Sequence, residues 1–148
     1  GYTLARSALD GIGLEDDRLG RPLGEILLEP TEIYVKAIMA LLATDLRVHG
    51  LAHLTSGGVD NLLRLKAEVT YEITAPLDPQ PIFGLIQERA DVPESEMYEV
   101  FNMGCGFCVV VPAEDEEAAL AVLREHYPEA RRIGDVASGE RKVIRHSR

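Results

Sequence analysis

At 148 residues, 46% of them apolar, the chain is long enough to bury a core and reads as one domain over residues 1–148. Its 25 acidic against 15 basic residues leave a net charge of −10, which repels polyanions and argues against nucleic acid as a partner. No run approaches the ~20 uninterrupted apolar residues that cross a bilayer, so a soluble, cytoplasmic domain is expected, not a membrane protein.

The first residue is Gly1 and no basic, apolar leader follows, which suggests a processed or excised chain with something missing on its N-terminal side. Residues 2–9 read as a short helix. Residues 10–24, with four glycines, adjacent aspartates and a proline, read as a loop. Thr31 is a suitable N-cap for a helix to about Ala43, with Ile33, Ala37, Ile38, Leu41 and Leu42 on its apolar side. Strands are expected at 47–54 and 66–73, the second with Ala67, Val69, Tyr71 and Ile73 alternating against polar neighbours.

Pro76, Pro79 and Pro81 mark a loop before a helix at 82–90, and residues 94–101 form another helical segment. Phe107 to Val111 reads as a buried strand. Ala113 to Tyr127 reads as a helix whose first turn holds Glu114, Asp115, Glu116 and Glu117, a solvated acidic cap favoured by the helix dipole and no metal site. Residues 131–137 and 142–144 close the chain as strands. This order predicts an α+β fold, with helices packed on a mixed β-sheet.

The segment richest in ligand chemistry runs from His49 to Arg64. A strand ends in Thr55-Ser56-Gly57-Gly58, and helical spacing resumes at Val59. Glycines in such a turn adopt positive φ without a Cβ penalty, so consecutive N–H groups can face one concavity at the positive end of the next helix and hold an anion. Thr55 and Ser56 hydroxyls, the Asn61 amide, the Arg64 fork and the His53 imidazole surround it. On the residues alone, an ordinary tight turn and a structural histidine are the commoner readings.

A second segment, Phe101-Asn102-Met103-Gly104-Cys105-Gly106, leaves a helix and enters a strand, with glycines that permit close backbone approach and an asparagine that can cap or bind. Cys105 and Cys108 form a Cys-x-x-Cys. No second cysteine pair completes a zinc site, and the pair enters a strand where a thioredoxin-type motif would open a helix. Buried small hydrophobes are the expected role.

Four blocks, in order, carry a family resemblance. Gly1-Tyr2-Thr3-Leu4-Ala5-Arg6, Leu23 to Lys36 with its Pro30-Thr31-Glu32-Ile33-Tyr34-Val35-Lys36 core, Ala52-His53-Leu54-Thr55-Ser56-Gly57-Gly58, and Glu96 to Gly106 together resemble the C-terminal domain of the phosphoribosylformylglycinamidine cyclo-ligase (AIR synthetase) family. Two departures stand out. Ser56 occupies the first of three family glycines, at a cost of about 1 kcal/mol if positive φ were required there. The segment after Gly58 is one residue shorter than in the family, with Asp60 for glutamate and leucine for proline.

The resemblance implies a domain of partial ferredoxin-like character. It implies a ligase of purine biosynthesis that uses ATP to activate the amide oxygen of formylglycinamidine ribonucleotide (FGAM), so that the neighbouring amine closes the ring of aminoimidazole ribonucleotide. ATP and Mg2+ are then bound mainly by an N-terminal domain absent from this chain, in a homodimer, and the chain alone is inactive. By the same resemblance Thr55, Ser56, Gly57 and Gly58 receive the substrate phosphate, Asn61, Arg64 and Asn102 orient substrate, Gly104 borders it, and His53 orients substrate or shuttles a proton. Three other readings stay open: a sister enzyme of the same superfamily, of the FGAM synthetase, selenophosphate synthetase, thiamin-phosphate kinase or hydrogenase-maturation type, a free-standing phosphate-binding module, and a structural domain with an empty turn.

Overall fold

A computed structural model describes residues 1–146 of the chain. In chain order these form α1 (Tyr2–Ala8), α2 (Leu23–Leu27), α3 (Val35–Leu42), β1 (Gly50–His53), a 3₁₀ helix (Gly58–Leu65) and β2 (Val69–Ile73). Then come α4 (Pro81–Ala90), α5 (Glu94–Val100), β3 (Phe107–Val110), a 3₁₀ turn (Ala113–Asp115), α6 (Glu116–Arg124), β4 (Gly134–Ser138) and β5 (Lys142–Arg145). The α+β class is as expected. The strands, however, hydrogen-bond as two sheets: β1 antiparallel to β3, and β2 between antiparallel β4 and parallel β5. A cavity of about 530 Å3, lined by Val109 of β3, Val136 of β4 and Leu120 of α6 among others, lies between the two.

Local chemistry sets most element ends. Pro81 opens α4, where its missing N–H costs nothing, and Asp91 closes it in a left-handed turn with φ 52°. Glu94 and Glu96 sit in the first turn of α5, at the positive end of the helix. In β2, Tyr71 and Ile73 are buried as the alternation requires. Thr70 is buried too, because its hydroxyl donates to the Glu140 carbonyl at 3.0 Å.

Two apolar clusters make the core. Ala8, Leu23, Ile86, Met97 and Met103 belong to one, built by α1, α2, α4 and α5. Leu54, Leu62, Tyr71, Cys105 and Cys108 belong to the other, built by the strands and the 3₁₀ helix. Met103 and Cys105 are two residues apart, so the turn between them ties one cluster to the other.

Several expectations need correction. Thr31 is exposed and does not cap α3; Tyr34 holds the cap position, because residues 30–34 stay irregular to deliver the Tyr34 ring against His53 and Phe107. The inner face of α3 is Ala37 and Leu41, whereas Ile33 is 76% exposed and Leu42 48%. The loop after α1 ends at residue 22, since Leu23 is buried and anchors α2. The helix expected from Val59 is a 3₁₀ helix that already includes Gly58. The long helix expected from Ala113 is divided at Glu116 and ends at Arg124. Strand β4 runs from Gly134 to Ser138 and starts three residues later than expected; a side chain on Gly134 would collide with the Glu72 carbonyl of the paired strand, so glycine is needed there.

Candidate functional site

The pairing of β1 with β3 joins two separated sequence blocks. His53 lies opposite Phe107, and the Leu54 N–H donates to the Gly106 carbonyl at 2.9 Å. The chain then turns through Thr55–Gly58, closed by the Gly58 N–H donating to the Thr55 carbonyl at 3.1 Å. Gly57 and Gly58 are left-handed, with φ 96° and 50°. Ser56 is not: among the described residues the left-handed non-glycines are Lys66, Asp91 and Met103, so the serine carries no backbone strain.

Gly58 is required by close approach as well as by φ. A Cβ there would lie 1.8 Å from the Tyr98 carbonyl oxygen and 2.8 Å from that of Phe101, at the end of α5. Thr55 and Ser56 are exposed. Among the described residues, no group accepts a hydrogen bond from the N–H of Thr55, Ser56 or Gly57. The turn therefore leaves three consecutive main-chain donors unpaired among the described residues, two of them on exposed residues, and such donors can receive an anionic oxygen.

Asn61 lies beneath this turn, 3% exposed. Its Nδ2 donates to the Ser56 carbonyl at 3.1 Å and the Gly58 carbonyl at 2.8 Å, so the amide holds the turn from behind. Its Oδ1 is buried and has no hydrogen-bond partner among the described residues. Asn102 does comparable work one turn away, accepting the Gly104 N–H on its Oδ1 at 3.2 Å. Met103 and Gly104 are left-handed, and a Cβ on Gly104 would meet the Asp78 carbonyl at 2.6 Å.

Arg64 is exposed and sits near the other end of the 3₁₀ helix, about 12 Å along the axis from Gly58 at roughly 2 Å per residue. Asp60 is exposed at the opening of the same helix. The structure thus brings together His53, Thr55, Ser56, Gly57, Gly58 and Asn61, sets Asn102 and Gly104 on the adjoining turn, and places Arg64 in the last turn of the 3₁₀ helix.

Tyr34 is the residue that sequence reasoning missed. Its ring centroid lies 5.9 Å from that of His53 and 5.4 Å from that of Phe107, with Tyr127 5.3 Å away on the other side. Burial first, then the nearby Tyr127, raises its phenol above the ordinary value of 10.0, so the hydroxyl stays protonated and can donate at neutral pH. His53 itself is exposed, with its ring stacked 6.0 Å from Phe107. The Tyr127 hydroxyl donates to the Ile33 carbonyl at 3.2 Å. Three of the four sequence blocks, those of Tyr34, His53 and Gly106, meet at this one place.

Residues 1–147 match the family described as AIR synthase related protein, C-terminal domain. The chain belongs to that family. It is 43% identical over 146 residues to a phosphoribosylformylglycinamidine cyclo-ligase of Methanopyrus kandleri, covering 97% of this chain and 42% of that protein. It is 46% identical over 144 residues to the same-named protein of Pyrococcus horikoshii, again 97% and 42%, and 48% identical over 139 residues to that of Pyrococcus furiosus, 93% and 40%. The chain thus spans less than half the length of these curated relatives. Among solved structures it is similar to the hydrogenase maturation protein HypE, with TM-score 0.55 over 90% of this chain and 46% of that one, and to HypE of E. coli, with TM-score 0.58 over 83% and 40%. Both are 22% identical and share the fold.

Proposed function

We propose that this AIR synthase C-terminal domain is the substrate-holding part of a phosphoribosylformylglycinamidine cyclo-ligase of purine biosynthesis, and that residues 1–148 form that one domain. The observation that carries this reading is the Thr55–Gly57 run of N–H donors without an acceptor among the described residues, set beside His53 and the Asn102–Gly106 turn. The names of the relatives supply the reaction class.

In this reading the phosphate of FGAM, or of a related ribonucleotide, rests on the N–H groups and hydroxyls of Thr55 and Ser56 and on Gly57. Gly58 and Asn61 keep the turn open to it. Asn102 and Gly104 shape the adjoining wall, and the exposed Arg64, in the last turn of the 3₁₀ helix, supplies positive charge that orients the anionic substrate. Once the amide oxygen of FGAM carries a phosphoryl group, the neighbouring amine attacks the carbon and the phosphate leaves with the oxygen. The amine must lose a proton in that step. His53, exposed at the rim, is the base that takes it.

Among the described residues no group of three His, Cys, Asp or Glu side chains is placed to hold a metal ion. The family resemblance assigns ATP and Mg2+ mainly to the part of the enzyme beyond this chain, in an enzyme that is a homodimer at full length. Among the described residues no helix is long and apolar enough to cross a membrane, and a cytoplasmic setting follows from the proposed pathway. The test is release of ADP dependent on FGAM by a polypeptide of the relatives' full length that carries this chain. Turnover with FGAM supports the reading, and ATP hydrolysis indifferent to FGAM overturns it.

A further inference from the structure

The cysteines play no part in that chemistry, yet their placement is specific. The Cys105 and Cys108 Sγ atoms lie 3.6 Å apart, neither in a disulfide. Both residues are only 6% and 7% exposed, which would ordinarily make them inert. Both, however, line the cavity of about 530 Å3 between the two sheets, which brings a route for a small molecule up to these two residues. Closing the gap to the 2.03–2.05 Å of a disulfide needs a shift of about 1.5 Å. Cys108 is held in β3 opposite Ala52, whereas Cys105 precedes the strand on the Asn102–Gly106 turn, so Cys105 is the residue that moves, against the packing of Gly104 on the Asp78 carbonyl and of Gly106 on Tyr34.

We propose that Cys105 and Cys108 form a reversible dithiol–disulfide pair, oxidised by small disulfides that enter this cavity. The Cys105 thiolate attacks one sulfur of a low-molecular-weight disulfide, forming a mixed disulfide and releasing one thiolate. The Cys108 thiolate then attacks the Cys105 sulfur, which forms the intramolecular bond and releases the second thiolate. Two electrons pass from the cysteine pair to the incoming disulfide, and the two cysteine protons end on the two thiols released. The assignment of Cys105 as the attacking sulfur agrees with the contact between the two sulfurs, which lowers the Cys105 thiol, while the same contact and burial hold the Cys108 thiol up.

The bond has a mechanical consequence. Gly106 carries the carbonyl that accepts from Leu54 and is the seat of the Tyr34 ring, so drawing Cys105 toward Cys108 moves the floor beneath Tyr34 and His53. Oxidation and the shape of the candidate site are thereby linked. With no tryptophan in the chain, tyrosine emission reports that movement directly.

The experiment exposes this chain to oxidised glutathione, quenches with acid, and reads thiols by maleimide labelling under denaturing conditions with intact-mass spectrometry. The expected result is loss of two hydrogen masses with no adduct, both cysteines protected, and recovery of both by dithiothreitol. The Cys108→Ser variant should stop at a glutathione adduct on Cys105, and circular dichroism checks that it remains folded. Two free thiols after exposure, or a glutathione adduct that persists in the parent chain, would overturn the proposal. If Cys108→Ser is unfolded, the parent chain still decides by the same two masses. The readout involves neither ATP nor FGAM, so its failure leaves the cyclo-ligase reading standing, and failure of that reading leaves the disulfide result intact.

Discussion

The Tyr34 hydroxyl oxygen sits where a side chain on Gly106 would be, 1.8 Å from the position a Cβ would take. The two residues are far apart in sequence, and only their contact explains why a glycine stands at residue 106, whose φ is not in the left-handed range. Gly106→Ala should therefore act through Tyr34: the ring must leave, at a cost of about 2 kcal/mol. A lowered urea midpoint with an altered near-ultraviolet tyrosine signal checks this. Gly106→Ala combined with Tyr34→Ala should recover part of the loss, because the collision is then gone.

Gly58→Ala should be worse. Its Cβ would strike main chain, the Tyr98 carbonyl, which cannot rotate away, and the residue would also be held at φ 50°. A loss on the order of 3 kcal/mol or more is expected by thermal or urea unfolding. Ser56→Gly, by contrast, removes no strain and should change stability by less than about 1 kcal/mol.

Asn61→Ala removes the two hydrogen bonds that hold the turn and leaves the Ser56 and Gly58 carbonyls without that donor. About 2 kcal/mol of stability should go with them. Hydrogen exchange at the Gly58 amide, which donates to the Thr55 carbonyl, should accelerate more than exchange in β2, which tells a loosened turn from a general destabilisation.

Alkaline pH supplies a separate check. Burial raises the phenol of Tyr34, of Tyr71 and of Tyr127 above 10.0 in the folded chain, so near that pH the native state holds more protons than the unfolded state. Stability is then intact below 10.0 and falls as pH rises through the folded values. Tyr34→Phe should flatten part of that decline in urea titrations between pH 9 and 11 on the scale of the ~10 tyrosine reference.

Local signals were legible and contacts at long range were not. The loop marked by Pro76, Pro79 and Pro81 announced the start of α4, and the alternation of Val69, Tyr71 and Ile73 announced β2, because each depends on near neighbours. The His53–Gly58 and Asn102–Gly106 turns were visible for the same reason. Tyr34 was passed over, since nothing in its own block says that its ring will rest on Gly106. Thr31 was misjudged as a cap because that tertiary contact keeps residues 30–34 out of the helix, overriding a good capping preference. Asn61 was legible as a polar residue near the turn. Its place underneath the turn depends on how the 3₁₀ helix packs, which no spacing rule reports.

The central claim is that the Thr55–Gly57 donors receive a phosphate. Titration of ribose 5-phosphate into the isotopically labelled chain, followed by amide nuclear magnetic resonance, tests it most directly. The account predicts saturable shifts concentrated at the amides of Thr55, Ser56 and Gly57, reduced in Asn61→Ala, with the Arg64 amide little changed. Shifts confined to Arg64 and other exposed cations, or none at the turn at saturating phosphate, would contradict it.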